Sequence, residues 1–388
     1  MIHTETHPRC SQTTAGDPID SSIHPLAFLR SPVTVSPSHG YPEAAHLLLV
    51  RGAPVDALDD AGYSALHLSA EHGRLDLLRL LLEHGACVNF TPPGEECKDR
   101  PDEPLRLAIR NNHYEAARLL LEAGAHPNTR YFLGSDINLV SPLSIPFLEL
   151  LLAFGAVPDA RDRDGNTPLM KACRLPHGFD AALLLIHHGA DVNAQAWERH
   201  DNRSVLHYAV LSGNPKIVNL VLKQGARVNF PPDYLKPTPL HLAILKGEPI
   251  IVRQLIEAGE TRDRRLPHYR FEFLPHANPP SSTGADVKAA SPVIGTALQV
   301  ACADEISNRM EMLRLLLGSG ADPNAIVRSE DGVPHRGALA EYLASNHNPE
   351  MGVVRLLLEY GAKVGFGIGV ERGGKEKMAL KQAWFGGT

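Results

Sequence analysis

Three groups of residues in this 388-residue chain have the types that could do chemistry: 20 histidines, five cysteines and a glycine-rich run near the C-terminus. The run from Gly369 to Lys375 fits G-x-x-x-x-G-K, the pattern of a loop whose amides and lysine cradle phosphate. That chemistry also needs a Ser or Thr to reach magnesium, and the next residue is Glu376, whose charge repels phosphate. Only 12 residues follow, so the run reads as a terminal hairpin. Cys10, Cys87, Cys97, Cys173 and Cys302 show no paired spacing, and no His/Cys set has zinc-finger spacing. No G-x-S-x-G elbow, H-E-x-x-H helix or assembled kinase signature is found. No catalytic, cofactor-binding or metal-binding residue is therefore assigned, and the chain is expected not to be an enzyme. An enzymatic site would have to be created by irregular insertions.

The elements that carry these residues repeat. Nine glycines, Gly52, Gly85, Gly124, Gly155, Gly189, Gly225, Gly259, Gly320 and Gly361, each follow an apolar cluster, at intervals of 33, 39, 31, 34, 36, 34, 61 and 41 residues. A period near 33 implies a repeat solenoid, in which each unit buries its apolar face against its neighbours. Within a unit, Ser64, Thr167, Ser204, Thr238 and Thr296, with Ser141 aligned to them, offer hydroxyls to the free amides of a first helix. Pro142, Pro168 and Pro239 then stand at the first helical position. Gly73, Asn112, Gly213, Gly247 and Asn346 end that helix with residues that tolerate a left-handed backbone. A second helix carries the apolar cluster, as in Leu77, Leu78, Leu80, Leu81 and Leu82, and stops at the glycine. Four residues beyond stand Asp56, Asn89, Asn128, Asp159, Asn193, Asn229, Asp263 and Asn324, where the side chain can bond to its own backbone and shape a turn. Gly365 alone breaks this series.

The copies Thr238-Pro239-Leu240-His241-Leu242-Ala243 and Gly189-Ala190-Asp191-Val192-Asn193-Ala194 resemble the ankyrin-repeat family, over roughly residues 21 to 388. The resemblance implies an α-dominated solenoid of helix-turn-helix units with β-hairpin loops. It also implies a non-catalytic scaffold that binds a protein partner along a concave face, at hairpin tips and the exposed side of the first helices. The candidate contacts are Asp60, Tyr63, Arg163, Asp164, Asn166, Trp197, Arg199, Asn202 and Tyr234. Aromatic and arginine side chains among them are the usual interface anchors. Trp197 either packs its indole on the adjacent hairpin or offers it to the partner. The family's motif histidine, here His67, His207 and His241, is implied to be structural. A regulatory adaptor or transcription co-regulator is the alternative reading.

The departures from the repeat define the organisation. Residues 1–20 are expected to be a mobile tail, 21–365 an array of about nine repeats, and 366–388 a terminal hairpin and half-repeat cap. Insertions are placed at 31–40, 91–101 and 264–294. In the last of these, Tyr269 and Phe271 alternate as in a strand, either folding back on the stack or contacting a partner. The unit ending at Gly155 is irregular, because Ser141 lies only 14 residues before it. Either its first helix is nearly deleted or its Ser-Pro-Leu match is accidental; the second reading is preferred, with a first helix from about Asp136 to Leu143, Pro146 opening the next, and a kink or weak seam there.

Composition supplies the exclusions. A formal charge of −6 argues against general nucleic-acid binding, and the one basic run, Arg262 to Arg270, reads as a solvated hairpin. Aromatics at 6% fit an interior of Leu, Ala and Val. The N-terminus has no apolar signal region, and apolar runs fall far short of a membrane span. The odd cysteine count points to a reducing compartment, cytoplasmic or nuclear. No cofactor is called for, and the chain is expected to be a monomer by itself.

Overall fold

The computed structural model describes residues 42–59, 63–89, 102–131, 133–230, 236–258, 284–303, 306–327, 336–346 and 349–363. The tail 1–20, the insertions 31–40 and 91–101, the basic run, Gly259, Asp263 and the terminal segment 366–388 lie outside these residues. The chain divides into two compact units, one ending at Arg163 and the other starting at Asp164.

The first unit contains α1 (Pro42–Val50), α2 (Ala65–Glu71), α3 (Leu75–Glu83), α4 (Pro104–Arg110), α5 (Tyr114–Glu122), α6 (Asp136–Leu139) and α7 (Ile145–Ala153). The second contains α8 (Pro168–Arg174), α9 (Phe179–His187), α10 (Val205–Ser212), α11 (Pro215–Lys223), α12 (Pro239–Lys246), α13 (Pro249–Glu257), α14 (Ala297–Cys302), α15 (Arg309–Gly318), α16 (Ala338–Ser345) and α17 (Met351–Glu359). The only sheet among the described residues is the antiparallel pair β1 (Ala290–Ser291) and β2 (Gly295–Thr296). The fold is an α-helical repeat solenoid with hairpin loops. Within each unit, first helices pack on first helices and second helices on second helices. The core is accordingly built from Leu66, Leu78, Leu81 and Leu120 in one unit and Leu169, Leu185, Val218 and Leu255 in the other, all fully buried. Cys173 and Cys302 are buried among such residues, and burial pushes the Cys173 thiol up.

Among the described residues, the glycine that follows a second helix takes positive φ, as at Gly85 (φ +80°), where a Cβ would meet no atom within 4 Å. Backbone conformation rather than crowding therefore calls for glycine there. Gly73, Asn112, Gly213 and Gly247 end first helices in the left-handed region as expected, but Asn346 does not. Its φ is −118°, and its side-chain Nδ2 instead donates to the Tyr342 carbonyl at 2.8 Å.

The unit ending at Gly155 has its first helix cut to the single turn α6, capped by Ser135. Ser135 stands 20 residues before Gly155, close to the 21 that separate Ser64 from Gly85. Ser141, Pro142 and Leu143 lie in the turn that follows, so Pro142 occupies no helix start, and Pro146 falls within the first two residues of α7.

The insertion placed at 264–294 is corrected at its C-terminal end, and its start lies outside the described residues. Asn229 Nδ2 donates to the Gly284 carbonyl at 2.9 Å, its Oδ1 accepts from Asp286 N at 2.7 Å, and Ala285 N bonds to the Leu255 carbonyl at 2.8 Å. In a regular unit the corresponding bond runs from Ala190 N to the Leu185 carbonyl at 3.0 Å. Gly284-Ala285-Asp286-Val287 thus forms the hairpin arm of this repeat, a role the sequence spacing had given to Gly259. The excursion therefore ends before Gly284, and the interval from Gly284 to Gly320 returns to 36 residues.

Candidate partner-binding hairpins

The histidines sit inside the scaffold. Nδ1 of His207 accepts from Ser204 N at 3.1 Å and from the Ser204 hydroxyl at 2.8 Å, while Nε2 donates to the Pro237 carbonyl at 3.2 Å. His241 repeats this with Thr238 and the Gly295 carbonyl at 3.2 Å, and His67 pairs with Ser64. These contacts fix the neutral tautomer with the proton on Nε2. The capping hydroxyls of Ser64, Ser204 and Thr238 give their protons to the imidazoles, while Thr167 and Thr296 accept the amides of Met170 and Gln299 at 3.4 and 3.2 Å, the amide-accepting role expected of them. Burial lowers the imidazoles to about 4 for His67, about 3 for His207 and about 4 for His241. None is placed to accept a proton from a substrate. Gln299 does the same work without titrating: Oε1 accepts from Thr296 N at 2.7 Å and Nε2 donates to the Arg336 carbonyl at 2.8 Å.

The Asn series does more than shape its own turn. Asn89 Nδ2 donates to the Gly124 carbonyl and its Oδ1 accepts from His126 N, both at 2.8 Å. Asn128 joins Gly155 and Val157, Asn193 joins Gly225 and Arg227, and Asn324 joins Gly361 and Lys363 in the same way. Each carboxamide thus ties one hairpin to the next and fixes their spacing. Asp56 can only accept, and takes Cys87 N at 2.8 Å.

The candidate contact residues gather on one such hairpin of the second unit. Its arms meet at Gln195 and Ser204, and its tip is a 3-10 turn, Glu198–His200, followed by left-handed Asp201 and Asn202. The Arg199 guanidinium lies 4.9 Å from the Trp197 ring centroid and 3.4 Å from Asp164 Oδ1, with His200 Nε2 3.7 Å from the same oxygen. The indole lies on Gly165, whose added Cβ would stand 2.4 Å from Trp197 Cγ, at φ +79°. It is packed on the neighbouring loop, as one sequence reading of Trp197 expects, and yet 43% exposed. Asn166 accepts from the Tyr208 hydroxyl at 2.9 Å, which ties the neighbouring loop to α10. Asn202 is exposed.

Other candidates are not brought to this place. Tyr63 is half-buried, edge-on to the His67 ring at 5.6 Å, and belongs with Arg163 to the first unit, where Arg163 is exposed. Asp60, Tyr234, Tyr269 and Phe271 lie outside the described residues. Sequence reasoning missed Gly165, His200 and Asp201, although a glycine one repeat before an exposed tryptophan is a readable sign of a ring resting on backbone.

Among the described residues no group of three or more His, Cys, Asp or Glu could hold a metal ion, and no helix is long and apolar enough to cross a membrane. Stacked helix pairs with linked, side-chain-rich hairpins define a repeat protein of the interaction type. The family described as ankyrin repeats (3 copies) matches residues 34–131 and 195–265, and the single ankyrin repeat matches 164–197 and 295–327. The chain belongs to the ankyrin-repeat family. The putative palmitoyltransferase ZDHHC13 of Danio rerio is 28% identical over 215 residues, 55% of this chain and 32% of that protein. Ankyrin repeat and SOCS box protein 16 of Homo sapiens is 31% identical over 224 residues, 54% of this chain and 46% of that protein. E3 ubiquitin-protein ligase KEG of Arabidopsis thaliana is 24% identical over 212 residues, 50% and 12% of the two chains. The chain thus spans less than half the length of each of these relatives.

Proposed function

We propose that the chain is a non-catalytic scaffold that binds a protein partner through its hairpin tips, with the Trp197–Arg199 tip of the second unit as an anchor. The observation that carries this is the indole that stays 43% exposed while Gly165, Arg199 and the hairpin itself hold it in place. A rigid, half-exposed tryptophan beside an arginine is the usual composition of an interface hot spot, because little side-chain freedom remains to be lost on binding. A photo-crosslinker placed at Arg199 should give discrete protein adducts, whereas one at Ile250, exposed on α13, should give few. Equal labelling from both positions would count against the hairpin face.

A second reading, a regulatory adaptor, is supported by the names of the relatives. Two are a putative palmitoyltransferase and a ubiquitin-protein ligase, and the similar segment makes up 32% and 12% of their lengths. A repeat array of this kind would serve to select what an enzyme acts on, rather than to act itself. Nuclear enrichment of a fluorescent fusion would favour a co-regulator of transcription, and cytosolic retention an adaptor there.

A further inference from the structure

In the first unit, the position that holds His67, His207, His241 or Gln299 elsewhere is occupied by Arg106, three residues after the cap Glu103. Arg106 is 4% exposed. Its Nη1 donates to Asp136 Oδ1 at 3.3 Å, Asp102 Oδ1 lies 3.0 Å from Nε as a poorly aligned ion pair, and Tyr131 lays its ring 3.9 Å from the guanidinium carbon. Arg110 pairs with the other oxygen of Asp102. Glu103 is also buried, accepts from the Thr129 hydroxyl at 3.2 Å, and gives its backbone N–H to the Tyr131 hydroxyl at 3.3 Å. Three carboxyl groups, Asp102, Glu103 and Asp136, therefore face two guanidinium groups. The cluster is neutral when one carboxyl holds a proton.

The geometry selects Asp136 as that carboxyl. It is 1% exposed, against a side-chain exposure of 18% for Asp102, and its Oδ2 has no hydrogen-bond partner. An ionised carboxylate with one oxygen orphaned in a dry site is strongly disfavoured, whereas the acid form tolerates it better. Asp136 also opens α6, whose single turn supplies little helix dipole to offset that penalty. Asp162 is the other buried carboxyl near α6, its backbone close to Gly134 and Asn138.

We propose that Asp136 is a proton-held joint: in its acid form it lets the one-turn helix α6 dock on Arg106 without leaving an orphaned charge in the dry site, and its ionisation weakens that docking. One turn of helix does not hold itself together, since its few hydrogen bonds do not repay the ordering of its residues, so α6 depends on this contact. Burial raises the Asp136 carboxyl to about 7, Arg106 opposes this, and Glu103 and Asp102 add to it. A folded value above the unfolded 3.8 gives a stabilising contribution that is full below 3.8 and is lost as the pH rises through about 7. The weak seam of the first unit is thus sensitive to pH around neutrality.

The test is a carboxyl titration of the full chain labelled with 13C at aspartate Cγ. One signal, absent from the Asp136→Asn spectrum, should titrate near pH 7, and Glu103→Gln should lower its midpoint by about half a pH unit. Amide protection at Ile137–Leu139, corrected for intrinsic exchange, should fall several-fold between pH 6 and 8. If every aspartate has finished titrating below pH 5, Asp136 is an ordinary ion-pair partner and the joint does not exist. Asp136→Asn should melt no lower than the parent at pH 8; equal losses at pH 6 and pH 8 would also overturn the proposal. Should Asp136→Asn fail to fold, the parent titration, assigned through Glu103→Gln, decides alone.

Discussion

His207 in the second unit and Arg106 in the first occupy the same repeat position and solve it in opposite ways. His207 is fully buried, neutral and satisfied at both nitrogens by Ser204 and Pro237. Arg106 brings a permanent charge into an equally dry place and draws Asp102 and Asp136 around it. The neutral donor-acceptor ring links two repeats without desolvating a charge. The cation does so only with counter-charges that are themselves costly to bury. The difference shows that where this position carries a polar bridge to the next repeat, the chemistry of the bridge decides how the unit responds to pH; Met170 fills the same position after Thr167 with an apolar side chain.

The comparison breaks most visibly at the histidine. His207→Ala should destabilise the second unit by about 3 kcal/mol, because it strands the Ser204 amide, its hydroxyl and the Pro237 carbonyl in the core. His207→Gln, copying Gln299, should cost only about 1 kcal/mol. Chemical denaturation of the two variants measures the contrast, and equal losses would mean that imidazole shape rather than bonding matters.

Acid should separate the units next. His207 and His241 have folded values lowered to about 3 and about 4 from 6.5, so their contribution is intact above 6.5 and is lost as the pH falls towards those values. One pH unit below 6.5, each should already cost on the order of 1 kcal/mol. In the first unit His67 acts in the same direction, but Asp136 has the opposite sign, its contribution growing as the pH falls below about 7. Hydrogen exchange at pH 7 and pH 5.5 should therefore show protection lost more in α10 and α12 than in α4 and α6.

Smaller effects belong to the bridges between hairpins. Asn193→Ala removes bonds to the Gly225 carbonyl and Arg227 amide and should cost about 1 to 2 kcal/mol. At the matching position of the interrupted repeat stands Lys288, beside a cavity of about 130 Å³ lined also by Ala321 and Asp322. Lysine offers no acceptor to the Asp322 amide. Lys288→Asn should add a bridge and stabilise by about 0.5 kcal/mol, read as a higher melting temperature.

Glycine spacing made the stack legible, since a helix stop at positive φ is a local requirement written in one residue. Trp197 and Arg199 were legible as candidates from their types alone, and both stand partly exposed at one hairpin tip. The reach of Asn229 to Gly284 was not, because 25 residues, 259–283, separate the end of the helix from its true hairpin and Gly259 offered a false match. Asp136 escaped notice for another reason. Its character comes from burial beside Arg106, 30 residues earlier, and sequence spacing carries no record of burial.

If the histidines build the stack while the tip carries the binding, capture of a crosslinked partner by Trp197→Ala and by His207→Gln, compared at matched helical circular dichroism, should separate the two roles. Trp197→Ala should lose capture at least about tenfold and His207→Gln should stay near the parent. Equal capture by both, or the reverse order, would mean that the tip is not the binding site.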